Sequence, residues 1–299
     1  MRDKYRGCLV GLAIADALGV PVEGFSQKEI AGKYGQVTDY VDSQYGIGAW
    51  TDDTSMTLAI AESYLQFGEC RIDDIAQRFI HWSKVDGRGI GITIRKVLDL
   101  IDSGTEPHEA AKVVWESSGK FLAPNGALMR CAPIALARIF DDEKLKDETT
   151  SVGLITHADP RSTDSCVLYN FLLADLIRGI DNPIDEYKEL IENQTVKDTV
   201  SGLNSYNLQN LPNSGYVIDT LRIALWTLAN CDTFEDTVIT AVNLGGDADT
   251  NAAVAGALAG AKFGLSSFPP RLLDKLQQVE RITRIADMMF DIFCSPSMR

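Results

Sequence analysis

The stretch Gly245-Gly246-Asp247-Ala248-Asp249-Thr250-Asn251-Ala252-Ala253-Val254-Ala255-Gly256-Ala257-Leu258-Ala259-Gly260 decides how the rest of the chain is read. Its second half is almost wholly Ala and Gly. Glycine lowers helix propensity, yet side chains without bulk let two backbones approach closely, so the pattern predicts a helix buried against a neighbour. Two carboxylates and a threonine open that helix. Acidic groups at such a position ordinarily cap the helix and complement its dipole. At the start of a buried helix, however, converging carboxylates repel unless they are protonated or neutralised, and a cation resolves the conflict.

A second acidic helix start lies far upstream. Trp50-Thr51-Asp52-Asp53-Thr54-Ser55 runs directly into the amphipathic stretch Met56-Thr57-Leu58-Ala59-Ile60-Ala61-Glu62. Capping is again the ordinary role. If the two starts converge, they offer the carboxylates of Asp52, Asp53, Asp247 and Asp249 and the hydroxyls of Thr51 and Thr250, with no histidine or cysteine. That hard, all-oxygen set suits Mg²⁺ or Mn²⁺ rather than zinc or copper. Four carboxylates exceed what one dication needs, so two metals sharing ligands about 3.5 to 4 Å apart are expected, a pair that orients and activates water.

Outward from these two starts, apolar residues recur at helical spacing over residues 5–18, 55–66, 72–84, 92–101, 108–115 and 129–139, then 163–180, 216–228, 234–244, 250–263 and 271–293. Thr233 and Asp236 are placed like a capping box, Gly104 closes a helix, and Pro269-Pro270 introduces the last one. Strand signals are few. The fold class expected is all-α, a compact multi-helix bundle occupying residues 1–299 as a single domain. The polar stretch from Asn193 to Asn213 is read as a surface loop.

The 299 residues, 45% hydrophobic and 23% charged, suit one globular core, and no apolar run reads as a membrane span, since Asp16 interrupts the N-terminal stretch. With 28 basic against 42 acidic residues the formal charge is −14, which disfavours nucleic acid and anionic membranes as partners. Six cysteines stand singly, without metal-site spacing, and point to reduced thiols in the cytoplasm. A monomer is expected.

Further motifs extend the pattern: Gly11-Leu12-Ala13-Ile14-Ala15-Asp16-Ala17-Leu18-Gly19-Val20-Pro21-Val22-Glu23, Pro124-Asn125-Gly126-Ala127-Leu128-Met129-Arg130, Thr156-His157 and Ser214-Gly215-Tyr216-Val217. Together with the two acidic starts, in this order and spacing, they resemble the ADP-ribosylglycohydrolase family over nearly the whole chain. The resemblance implies an all-helical fold, a dinuclear Mg²⁺ or Mn²⁺ centre, an ADP-ribosylated protein or peptide as substrate and ADP-ribose as product. Carried over residue by residue, Thr51, Asp52, Asp53, Asp247, Asp249 and Thr250 are the implied metal ligands. Glu23 matches an acidic residue that would hold or deprotonate the water. Asp86 lines up with a carboxylate near the scissile ribose, where it could receive an acceptor guanidinium. His157 falls where the family has a histidine facing the ligand, and Tyr216 at an aromatic position near the adenine.

The segments Asp86-Gly87-Arg88-Gly89-Ile90-Gly91 and Asn125-Gly126-Ala127 supply turns whose main-chain N–H groups can reach a pyrophosphate. Pro124 departs from the glycine of many relatives and removes one such donor. The reaction expected is hydrolysis of an N- or O-glycosidic bond, arginine favoured as acceptor and serine open. A noncatalytic, crystallin-like ADP-ribose binder and a metallohydrolase of free nucleotides are the alternatives.

Overall fold

The computed structural model describes residues 1–180 and 184–294. In chain order the helices are α1 (Arg2–Gly19), α2 (Gln27–Tyr34), α3 (Asp52–Phe67), α4 (Ile72–Val85), α5 (Ile92–Asp102), α6 (Pro107–Ser117), α7 (Ala132–Ala137) and α8 (Asp142–Gly153). They continue with α9 (Pro160–Arg178), α10 (Gln194–Ser201), α11 (Val217–Asn230), α12 (Phe234–Asn243), α13 (Ala248–Phe263), α14 (Pro270–Lys275) and α15 (Val279–Phe293). Among the described residues there is no strand beyond two isolated bridges, Ser26 with Gly245 and Pro124 with Tyr216. The fold is therefore all-α.

The centre of the molecule is the crossing of α1 and α13. Every residue of α13 from Ala248 to Ala261 is buried, as the Ala/Gly pattern predicts. Glycines four apart on both helices set the spacing: a Cβ on Gly260 would lie 1.9 Å from the Gly7 carbonyl oxygen, and one on Gly256 would lie 2.5 Å from that of Gly11. Neither position tolerates a side chain without separating the helices. At the end of the same crossing a Cβ on Gly19 would lie 2.3 Å from the Asp249 Cα. Close approach of two backbones thus brings the C-terminal half of α1, including Asp16, against the acidic start of α13. By length and mean hydropathy α1 could cross a membrane, contrary to the expectation drawn from Asp16, but 89% of its apolar window is buried inside the fold.

Three further expectations are corrected. The Asn193–Asn213 stretch contains α10, which Asn193 caps by accepting from the N–H groups of Thr195 and Val196. The region expected as one helix over 129–139 is a 3-10 turn, Asn125–Arg130, followed by α7. The last predicted helix is two, α14 and α15, because the loop before α3 wedges against the chain between them. Gln277 N–H donates to the Gly48 carbonyl, Trp50 Nε1 donates to the Gln277 carbonyl, and Gln278 takes a left-handed φ of 57°. The helix α8 was not expected; its sequence is mostly polar, but Leu145, Thr149 and Val152 are buried.

Candidate active site

Six N-caps use their side chains in the ordinary way: Ser26, Glu106, Asp141, Asp159, Asn193 and Thr233 each accept from a backbone N–H of the helix they open. The two acidic starts do not. Neither Thr51 before α3 nor Asp247 before α13 makes a side-chain capping bond. Their polar groups face one another instead. Capping therefore does not account for the acids at these positions.

The first cluster is organised by Asp16, a residue of α1 that is 0% exposed. Its carboxylate accepts from the N–H and hydroxyl of Thr51 and from the N–H and hydroxyl of Thr54, at 2.7 to 3.1 Å. These bonds hold the first turn of α3 against α1 and aim Asp53 at α13, where Thr250 Oγ1 lies 3.4 Å from Asp53 Oδ2. By sequence, Asp16 interrupts an apolar run and falls inside the Gly11–Glu23 motif, without a ligand role assigned to it. A lone carboxylate in the middle of a fully buried helix was the available signal, because such a charge requires partners.

The second cluster is built by loops. Gly245 and Gly246, with φ of 70° and 67°, turn the chain so that Gly24 N–H donates to the Gly246 carbonyl and Gly246 N–H to the Phe25 carbonyl. That pairing carries Glu23 to the start of α13. Asn125 Nδ2 donates to Asp247 Oδ2 at 2.6 Å and to Thr220 Oγ1 at 2.9 Å, while Asp247 N–H donates to the Asn213 carbonyl.

The result is a pocket of about 230 Å³ lined at its acidic end by Glu23, Asp52, Asp247, Asp249 and Thr250, and elsewhere by Gly89, Thr93, Asn125, Gly126 and His157. Thr51 and Asp53 lie buried behind it, 1% and 0% exposed. Carboxylate oxygens of Asp16, Asp53 and Asp249 fall within 4.8 Å of one another, as do those of Glu23, Asp247 and Asp249. Asp249 belongs to both groups; Asp52 lines the same pocket but stands outside them. Burial pushes the Asp52 carboxyl up to about 7, with the charges of Asp16, Asp247 and Glu23 adding to it. Burial, then neighbouring carboxylates, raise Asp53 and Asp249 well above the ordinary range. Burial also raises Asp16 and Asp247 against their hydrogen bonds. Glu23, at the exposed rim, is raised by partial burial of its carboxyl and by Asp247 and Asp16.

These residues fit a hard divalent cation. Among the described residues Asp53 Oδ1 is buried without a hydrogen-bond partner, and no lysine or arginine there pairs with the cluster. So many carboxylates cannot ionise together without positive charge, and every nearby donor atom is oxygen. The acidic groups could hold metal.

Other expected residues fall in different places. Asn125, Gly126 and His157 line the pocket. Gly126 and Ala127 begin a 3-10 turn, where N–H groups lack intrahelical acceptors, but the Asn125 N–H already donates to the Gly215 carbonyl. Ala127 is 1% exposed and sits behind the wall. Pro124 costs nothing in its bridge with Tyr216, since the two bonds there run from Asn125 N–H to Gly215 and from Val217 N–H to Ala123. Tyr216 is half-buried in an adjoining apolar hollow of about 530 Å³ with Phe121 and Leu122, and Thr93 and Pro124 line both spaces.

Asp86 and Gly87 lie outside the pocket. Asp86 pairs with Arg88 at 3.2 Å and faces a separate hollow with Trp50, His81 and Trp82. Gly87 ends α4: its N–H is spent on the Trp82 carbonyl, leaving none for a phosphate. Gly89, by contrast, reaches the acids, for a Cβ there would lie 2.5 Å from Asp52 Oδ1.

The all-helical framework carries an acid-walled pocket that could hold metal, and the comparisons with known proteins identify the family to which such a chain belongs. A family model described as ADP-ribosylglycohydrolase matches residues 1–297. ADP-ribosylarginine hydrolase Tri1 of Serratia proteamaculans is 34% identical over 308 residues, covering 96% of this chain and 79% of that protein. The ADP-ribosyl-[dinitrogen reductase] glycohydrolase of Rhodospirillum rubrum is 34% identical over 295 residues, covering 95% and 94%. A solved ADP-ribosylglycohydrolase-related protein complex superposes with a TM-score of 0.83 at 30% identity, covering 97% of this chain and 98% of that one. The chain belongs to the ADP-ribosylglycohydrolase family, and it is an enzyme of that kind.

Proposed function

We propose that this enzyme hydrolyses the glycosidic bond joining ADP-ribose to a modified protein side chain, with arginine the favoured acceptor, acting as a cytoplasmic monomer. The observation that carries the reading is the convergence of Glu23, Asp52, Asp53, Asp247 and Asp249 on one pocket that adjoins the apolar hollow at Tyr216. A ligand with a sugar at one end and a flat base at the other matches that succession of acidic and apolar spaces. The residues that would hold two Mg²⁺ or Mn²⁺ ions are Thr51, Asp52, Asp53, Asp247, Asp249 and Thr250, with Asp16 beneath them. Bound cations supply the positive charge that lets these carboxylates ionise together and the Lewis acidity that makes water more acidic.

The chain's own groups account for the rest. Glu23 is accessible at the rim with a raised pKa, suited to taking a proton from the water that attacks the anomeric carbon. As that carbon gains its bond to oxygen, its bond to the acceptor breaks, and the acceptor atom leaves with the bonding pair and takes a proton from solvent. Asn125, bonded to Asp247, ties the Gly126 wall to the acidic end of the pocket. The Tyr216 ring offers a face to the base, with the Arg161 guanidinium 5.5 Å from its centroid helping to hold it.

Support for arginine comes from the names of the relatives rather than from Asp86, which is engaged with Arg88. The test is release of ADP-ribose from arginine-linked and serine-linked ADP-ribosyl peptides with Mg²⁺, Mn²⁺ or EDTA. Metal-dependent release from the arginine-linked peptide is the expected result. Intact peptides under every condition, with folded protein, would overturn the reading.

A further inference from the structure

Arg130 heads the large side chains that are fully buried among the described residues, at 0% exposure, and no carboxylate among those residues pairs with it. Its guanidinium lies 4.8 Å from the centroid of the Phe79 ring. Nη1 donates to the Gly126 carbonyl at 2.6 Å, and Nη2 donates to Thr156 Oγ1 at 2.6 Å. A buried cation without a counter-ion is costly, so its position calls for an account beyond packing.

Thr156 Oγ1 also lies 2.7 Å from His157 Nδ1. Thr156 Oγ1 has two lone pairs and one proton: it accepts from the guanidinium, which only donates, and among the described residues its proton has no acceptor except His157 Nδ1, so donation to that nitrogen is the arrangement that satisfies the hydroxyl. With Nδ1 accepting, the ring proton sits on Nε2. That nitrogen is buried, has no partner among the described residues, and belongs to a residue 3% exposed that lines the pocket beside Asn125 and Gly126. Space for the ring exists because residue 126 is glycine: a Cβ there would lie 2.9 Å from His157 Cε1 and 3.1 Å from Nε2.

We infer that Arg130 and Thr156 are positioning residues that lock His157 as an Nε2–H donor, so that the wall at Gly126 recognises an acceptor-only oxygen such as that of a diphosphate. The identity of that ligand rests on the function proposed above; the tautomer does not. Burial and the Arg130 charge also hold the imidazole well below the usual histidine range, so the contact stays neutral and donating across neutral pH. One guanidinium thereby sets both the Gly126 carbonyl and the ring beside it.

The test begins with long-range ¹⁵N NMR on the full-length, ligand-free protein, with His157→Gln used only to assign its signal among the three histidines. A neutral Nε2–H ring from pH 6 to 8 is expected; an Nδ1–H tautomer or an imidazolium would overturn the relay. Calorimetry with ADP-ribose then compares Thr156→Val, which loses the hydroxyl, with Thr156→Ser, which keeps it. Affinity should fall about tenfold in the first, with a mixed tautomer, and stay within about twofold in the second. Wild-type tautomer and affinity in Thr156→Val would overturn the assignment. Should that variant not fold, the unmutated ring and Thr156→Ser still decide it. An Nε2–H ring in a protein that binds no ADP-ribose would refute the proposed function and leave the relay standing.

Discussion

The two acidic helix starts look alike in sequence and are held in opposite ways. The start of α3 is closed from below by Asp16, whose carboxylate takes four donors from Thr51 and Thr54, and Asp53 is 0% exposed. The start of α13 is held from the side by loops: Gly246 against Phe25, Asn125 on Asp247, and Asn213 on the Asp247 N–H. Asp247 is half-buried and Glu23 exposed. One half is a buried, hydrogen-bonded floor and the other an accessible rim. A site that must hold charge in place and also admit a substrate needs both.

Asp249 is where the halves meet, so Asp249→Ala should have the largest effect. Release of ADP-ribose is expected to fall at least about a thousandfold, on the scale of losing a group that organises transition-state charge, while circular dichroism stays helical. Near-normal turnover would break the picture of one shared site. Asp16→Asn probes the floor alone: loss of two acceptor positions beneath Thr51 and Thr54 should weaken divalent-cation affinity about 10- to 100-fold, as for supporting partners of metal ligands. Titration calorimetry with Mn²⁺ reads it, and unchanged affinity would detach the floor from the site.

Gly19→Ala tests the crossing that joins α1 to Asp249. A Cβ 2.3 Å from the Asp249 Cα should cost about 1 to 3 kcal/mol of stability, as overpacking does, read from urea unfolding. The pH dependence of the metal-free protein sharpens the contrast further. Asp52 is raised from 3.8 to about 7, so the folded state binds its proton more tightly than the unfolded chain does. That contribution is full below the ordinary value and is lost as pH climbs through about 7. The metal-free melting temperature should therefore be higher at pH 6 than at pH 8, and saturating Mg²⁺ or Mn²⁺ should reverse the order, because ligands bind ionised. The smallest effect expected is that of Arg88→Ala, which frees Asp86 outside the pocket. It should change KM for an arginine-linked peptide by about threefold or less, the scale of one exposed ion pair, and leave kcat unchanged.

Much of the candidate site was legible because its residues cluster in short motifs. Thr51, Asp52 and Asp53 are consecutive, as are the residues of the Asp247–Thr250 start, and helical periodicity joined each to a framework. Asp86 and Gly87 show the limit of such reading. Their segment has the composition of an anion-binding turn, but the end of α4 consumes the Gly87 N–H and Arg88 takes the carboxylate. The division of the last helix was hidden for a related reason: the wedge that breaks it comes from Gly48 and Trp50, more than two hundred positions away.

Sequence alone determined what is local or repetitive. The apolar period made the elements helical, the Ala/Gly run made α13 a helix for the interior, and the oxygen-only acids restricted the cations that could suit it. Tertiary structure decided which of those acids meet. Glycine-on-glycine packing of α1 against α13 makes Asp16 part of the site, and the turn at Gly245 and Gly246 brings in Glu23. The buried Arg130 then sets the orientation of His157. Each of these depends on a distance between residues remote in the chain, and a distance of that kind belongs to the packed fold rather than to any segment of it.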